Sequence, residues 1–216
     1  ATQRGGLPRA HRPARRRVTS GRRAGPPSAG PADHGEGVGP AGPPHLVLVG
    51  LPGAGKSTVG ALLAAQLRCA FLDFDVEIEK RSGKRVARIF VEDGEPAFRA
   101  LERDLTTEVA RRPGMVLAPG GGWMVDPANL ALLRPPARII HLEVSVASAL
   151  VRLGAAVRDR PLLSGEGAEA RMKDLFEARG PIYRNADTVV NTEAIDAYGV
   201  VSLIRPLAQR WGWPIG

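Results

Sequence analysis

The sequence predicts an α/β fold: a five-stranded parallel sheet with helices on both faces. Three observations carry this. Apolar runs of strand length recur at residues 45–49, 70–74, 115–118, 138–144 and 188–191. Helical patterns separate them, and glycine-rich turns follow the first and third. Residues 45–49 are apolar throughout, as a central strand covered on both faces should be. With 216 residues, 44% of them hydrophobic, the chain can bury one core, and no repeat of solenoid period interrupts it.

The first strand runs into Gly50-Leu51-Pro52-Gly53-Ala54-Gly55-Lys56-Ser57-Thr58. This G-x-x-x-x-G-K-[ST] spacing is a P-loop, in which successive backbone N–H groups turn inward around phosphate oxygens beneath a helix N-terminus. Gly53, Ala54, Gly55, Lys56, Ser57 and Thr58 are thereby the candidate nucleotide-binding residues. Lys56 supplies a point charge for the terminal phosphates, and the Ser57 hydroxyl is a candidate ligand for Mg²⁺. The helix after the loop covers residues 57–68, with an apolar face through Val59, Leu62, Leu63 and Leu67.

The second strand, 70–74, ends in Asp73 and Asp75, which as strand residues two apart share one face and point to the P-loop side. Helices are expected at 76–81, as a turn at 86–91, and from Phe98 through Leu101, Leu105 and Val109. The third strand leads into Gly120-Gly121-Gly122, and Asp126-Pro127 opens the next helix. The fourth strand is followed by a helix at 146–153. A polar, glycine-containing stretch at 154–167 with Arg158 and Arg160 reads as a mobile lid. Helices at 168–179 and 195–211 flank the fifth strand.

Charge is unevenly distributed. The formal net charge is +8, and residues 1–44 hold eight arginines against Asp33 and Glu36, so six of those charges lie there. That segment, rich in Pro, Gly and Ala, is expected to be a disordered tail, with residues 45–216 forming the folded domain. Nucleic-acid binding would rest on the tail alone. The single Cys69 excludes an internal disulfide and no apolar run can span a bilayer, so the chain reads as cytoplasmic and membrane-free. A monomer is the expected state, though no residue pattern argues for it. His141, in mid-strand, reads as a core residue, and Trp211 and Trp213 as packing the last helix onto the sheet.

Arg99 stands one helical turn from both Glu95 and Glu102. Together with the P-loop, Asp73-Phe74-Asp75, Ile89-Phe90 with Asp93-Gly94-Glu95, Phe98-Arg99-Ala100-Leu101-Glu102, the triple glycine, Arg160-Pro161-Leu162-Leu163 and Pro181-Ile182-Tyr183-Arg184, this series resembles the shikimate kinase family over residues 45–192. The resemblance implies a fold like that of nucleoside monophosphate kinases and ATP-dependent phosphorylation of the 3-hydroxyl of shikimate, a step toward chorismate and the aromatic amino acids. By motif position it implies that Asp75, Arg99, Gly121 and Arg184 bind shikimate, that Ser57 and Asp73 serve Mg²⁺, and that Lys56 and Arg160 face the ATP phosphates. Lys56, Asp75 and Arg160 would then be catalytic. Paired guanidinium groups suit the single carboxylate of such an acceptor.

Three positions depart from the family pattern. Trp123-Met124 follow the triple glycine, where the indole would wall the ring pocket or narrow it; Leu153 stands where a second arginine before the lid is expected, and Asn191 replaces an aspartate expected near the adenine. Another small-molecule kinase of gluconate-kinase type would explain the P-loop and lid but not the order of the other motifs. A non-catalytic relative would be expected to lack Lys56, Asp75 or Arg99, and all three are present.

Overall fold

The computed structural model describes residue 1 and residues 42–163, 165 and 167–214. Contacts divide the chain into residues 1–37 and 38–216, and the sheet, its helices and the cleft all belong to the second unit. Apart from its two ends, the tail expected at residues 1–44 lies outside the described residues.

Five parallel strands, β1 (Leu46–Val49), β2 (Phe71–Asp73), β3 (Val116–Ala118), β4 (Arg138–Glu143) and β5 (Thr188–Asn191), lie in the order β2-β3-β1-β4-β5. All of β1 is 0–1% exposed, and its side chains alternate between two cores. Leu46 and Leu48 join the core containing α1 (Lys56–Leu67) and α8 (Ala197–Arg210). Val47 and Val49 join the other, beneath α2 (Phe74–Ser82), α3 (Val86–Glu92) and α4 (Gly94–Val109). Residue period 2 in a strand with helices on both faces therefore accounts for a run with no polar position.

The chain reverses its direction of growth at β1, with β3 on one side and β4 on the other. A crevice opens beyond the carboxyl ends of the strands at such a switch point. The P-loop, Asp73, Asp75 and the triple glycine all lie there.

Several boundaries differ from expectation for local reasons. β2 ends at Asp73, not Phe74, because the Asp73 side chain caps α2 by accepting a hydrogen bond from the Val76 N–H at 3.3 Å. Asp75 is thus in the first turn of a helix and not on a strand. The remaining helices are α5 (Pro127–Leu133), capped by Asp126, α6 (Val146–Leu153) and α7 (Ala168–Tyr183). α7 runs four residues beyond the predicted 168–179. Pro181 sits in its last turn, where a missing N–H removes a single backbone bond.

The stretch expected to be a lid starts as a 3₁₀ helix, Gly154–Asp159, and Leu163 is fully buried in the α1 core. The described part is anchored at Leu163, whereas Gly154, Ala155, Ala156 and Arg158 are exposed. At the opposite edge Trp213 is buried and its indole N–H donates to the Pro44 carbonyl at 3.0 Å, fixing the chain just before β1. No helix among the described residues is long and apolar enough to cross a membrane. Cys69 is partly exposed, and burial pushes its thiol above the ordinary value, which leaves it a weak nucleophile.

Candidate active site

The P-loop connects β1 to α1 through backbone conformations that most side chains avoid. Gly53 has φ of 83°, and a Cβ there would stand 2.4 Å from the Ala149 carbonyl oxygen. Gly55, at φ 92°, precedes the first turn of α1, whose unpaired N–H groups face the cleft. The Lys56 ammonium donates to the carbonyls of Gly50 and Leu51, each at 3.0 Å. Burial lowers its pKa to about 8, with Asp75 opposing that shift and Arg160 adding to it. A lysine held near its titration point gains charge stabilisation when phosphate arrives.

Beside it, the Ser57 hydroxyl donates to Asp73 Oδ2 at 2.5 Å. Among the described residues no group of three or more His, Cys, Asp or Glu side chains could hold a metal unaided. Two adjoining oxygen donors fit a hard cation that completes its shell from phosphate and water, as Mg²⁺ does. The cavity over the P-loop is about 420 Å³ and continues past Arg152, Leu153, Thr192, Ile195 and Asp196. The loop after β5 is fixed there by the Arg152 guanidinium, which donates to Thr192 Oγ1 at 2.9 Å and to the Thr192 carbonyl at 2.5 Å. Glu193, held by the N–H and hydroxyl of Ser145 and by the Ser148 hydroxyl, has its carboxyl lowered to about 2 by those donors.

A second, narrow cavity of about 60 Å³ adjoins the first, lined by Phe90, Phe98, Arg99, Gly122, Leu162 and Arg179 among others. Pro52, Asp75, Gly120, Gly121 and Arg160 line both, so the two are confluent. Asp75 stands at the junction. Its Oδ2 accepts from Arg160 Nη1 at 2.9 Å, and burial raises its carboxyl against the pull of that guanidinium. A raised carboxylate beside the phosphate end is suited to take a proton from a hydroxyl.

Arg99 is held by two carboxylates. Nη1 donates to Glu102 Oε2 at 2.5 Å, while Nε and Nη2 donate to Glu95 Oε1 at 3.1 and 2.7 Å. Glu102 is fully buried, and burial raises its carboxyl against the opposing charge of Arg99. The expectation that Glu95 and Glu102 flank Arg99 from either side is met by contact. A Cβ on Gly122 would lie 2.5 Å from Arg99 Nη2, so the glycine turn is pressed against this guanidinium.

Arg184 is the correction. It is exposed, stands just past the end of α7, and lines a different cavity with His141, Glu143, Phe176 and Glu177. The guanidinium that shares the narrow cavity with Arg99 belongs to Arg179, which is 6% exposed. Its Nη1 lies 2.9 Å from where a Gly121 Cβ would be. Five residues at 100° each turn Arg184 roughly 140° away from Arg179 around the helix, so the two cannot face one cleft. Sequence reasoning missed Arg179, although Met172, Arg179 and Tyr183 form one buried stripe of α7 at helical spacing.

Tyr183, the last residue of that stripe, donates its hydroxyl to the Gly121 carbonyl at 2.6 Å and packs against the His141 ring with centroids 4.7 Å apart. His141 is only partly buried and lines the outer cavity, so it is not the enclosed core residue expected. Trp123 does not wall the ring pocket. It is 0% exposed and lies in the core beneath α4, because its indole N–H finds a buried acceptor there.

A family model described as shikimate kinase matches residues 52–205. The shikimate kinase of Pseudomonas entomophila is 47% identical over 150 residues, covering 69% of this chain and 87% of that one. The structure of shikimate kinase from Acinetobacter baumannii in complex with shikimate superposes with a TM-score of 0.74 at 35% identity, covering 79% of this chain and 96% of the other. That of the Bacteroides thetaiotaomicron enzyme does so with a TM-score of 0.69 at 32% identity, over 77% and 98%.

Proposed function

This chain belongs to the shikimate kinase family, is a kinase of the P-loop fold that transfers phosphate to shikimate, and we propose from that premise how its own residues divide the work. ATP is the donor and the 3-hydroxyl of shikimate the acceptor, in a cytoplasmic enzyme acting as a monomer. The observation that carries this is the confluence of the two cavities at Asp75 and Arg160: P-loop groups on one side, the partly buried Arg99 and buried Arg179 guanidinium groups on the other.

Phosphoryl transfer demands in-line positioning and neutralised charge more than covalent participation by the protein. Backbone N–H groups of the P-loop, with Lys56 and Arg160, hold the β- and γ-phosphates. Ser57 and Asp73 are the residues that would hold Mg²⁺, which when bound offsets phosphate charge. Arg99 and Arg179 clamp the acceptor's carboxylate, with Gly121 forming the wall between them. Asp75 aligns the hydroxyl and accepts its proton. Arg184 has no place in this division.

Arg160 Nη1 pairs at 2.9 Å with the carboxylate that would receive the hydroxyl, and both residues line the two confluent cavities. An acceptor hydroxyl arriving at Asp75 therefore competes with Arg160, whose release turns it toward the phosphates. That movement couples occupation of the acid site to assembly of the phosphate site.

The test is a coupled ADP-release assay offering shikimate, quinate and gluconate separately. Turnover with shikimate alone is expected, with KM for shikimate strongly raised by Arg99→Ala, and equal turnover of gluconate would overturn the reading.

A further inference from the structure

We propose that Trp123 and Thr106 are positioning residues that fix the distance between the glycine turn and Arg99, and so set affinity for the acid acceptor; this rests on the function just described.

A continuous chain of hydrogen bonds links the two. The Trp123 N–H donates to the Gly120 carbonyl at 3.0 Å and closes the glycine turn. The Trp123 indole N–H donates to Thr106 Oγ1 at 2.8 Å, and the Thr106 hydroxyl donates to the Glu102 carbonyl at 2.7 Å. Glu102 in turn receives Arg99 at 2.5 Å. From behind, Asn129 Nδ2 donates to the Trp123 carbonyl at 3.0 Å. Trp123, Thr106 and Glu102 are each 0% exposed, so no water competes for these bonds and their geometry is held by packing as well.

Tolerance at this junction is small. A Cβ on Gly120 would lie 2.6 Å from Glu102 Oε1 and one on Gly122 2.5 Å from Arg99 Nη2, so backbone and clamp are already in close approach. Among the described residues the Glu102 carboxylate has no hydrogen-bond partner at Oε1, while its Oε2 receives Arg99. Its placement depends on the α4 backbone at Glu102, and that is the group to which Thr106 is bonded. Removing the indole–hydroxyl bond frees the glycine turn from α4 without touching the P-loop, Lys56 or Asp75. A carboxylate clamp binds ground state and transition state alike, so its loosening raises KM and spares kcat.

The experiment measures KM for shikimate and for ATP separately, together with thermal unfolding, in Thr106→Val, Thr106→Ser, Trp123→Phe and the Trp123→Phe/Thr106→Val double variant. Thr106→Val and Trp123→Phe are each expected to raise KM for shikimate about tenfold, with kcat within about twofold and KM for ATP unchanged. Thr106→Ser keeps the hydroxyl and restores wild-type KM, and the double variant is no worse than the weaker single one. If Trp123→Phe does not fold, the Val and Ser pair at 106 decides alone. Lowered unfolding temperature with unchanged KM for shikimate, equal rises in both KM values, or failure of Ser to rescue would each overturn the proposal. A wild-type chain that does not turn over shikimate would instead sink the functional reading, and this inference with it.

Discussion

The two ends of the cleft are built in opposite ways. The proposed phosphate end is built mainly from one contiguous stretch, Gly50 to Thr58, whose backbone N–H groups lie at the start of α1, with Asp73 and Arg160 added from elsewhere. The acid end is assembled from side chains on α2, α3, α4 and α7, from the turn after β3 and from residues 160–163, contributors spread along the chain from Asp75 to Arg179. A backbone site needs only permissive dihedrals in sequence order. A side-chain site needs helices to arrive in the right rotational phase, and a change of a few residues along α7 exchanges a buried arginine for an exposed one.

That contrast can be broken by variants that act on one end only. The largest effect belongs to the junction: Asp75→Asn is expected to lower kcat by about 10²- to 10⁴-fold while nucleotide binding, measured by titration, stays near wild type. Loss of nucleotide affinity as the main outcome would place Asp75 at the phosphate end. The phosphate end has its own signature in pH. Lys56 titrates at about 8 in the free protein and is raised by bound phosphate, so nucleotide affinity should be flat below that pH. Above it, affinity should fall toward tenfold per unit until the pKa of the complex is reached. Lys56→Met should abolish that limb, and KM for shikimate should not follow it. The smallest effect is at the back of the acid end. Tyr183→Phe removes one hydrogen bond to the Gly121 carbonyl and keeps the stacking on His141. A bond of this kind is worth about 0.5–1.5 kcal/mol, so KM for shikimate should rise roughly two- to tenfold with kcat retained.

What could be read from the sequence follows the same division. β1, α1, α6 and β5 appear within a residue or two of their expected limits because each carries its own period and its own boundary signals. Lys56, Ser57, Asp73, Asp75, Arg99 and Arg160 were named, and they line the joined cavities. Asp75 reached its place by a different route, in a helical turn begun by the Asp73 cap rather than on a strand. Arg179 escapes notice because the helix expected at 168–179 stops short of Tyr183, the residue that completes the buried stripe from Met172. Trp123 was expected to line the pocket because it follows the glycine turn in sequence. Only the fold reveals that a buried threonine on α4 draws the indole inward.

The central claim, that the acid is held between Arg99 and Arg179 in a cavity joined to the P-loop, is tested most directly by comparing KM for shikimate in Arg179→Ala and Arg184→Ala under saturating nucleotide. Losing a buried charged hydrogen-bond donor costs at least about 2 kcal/mol, so Arg179→Ala should raise KM about thirtyfold or more, while exposed Arg184→Ala stays within about twofold. The reverse ranking, with Arg184 indispensable and Arg179 silent, would contradict the account.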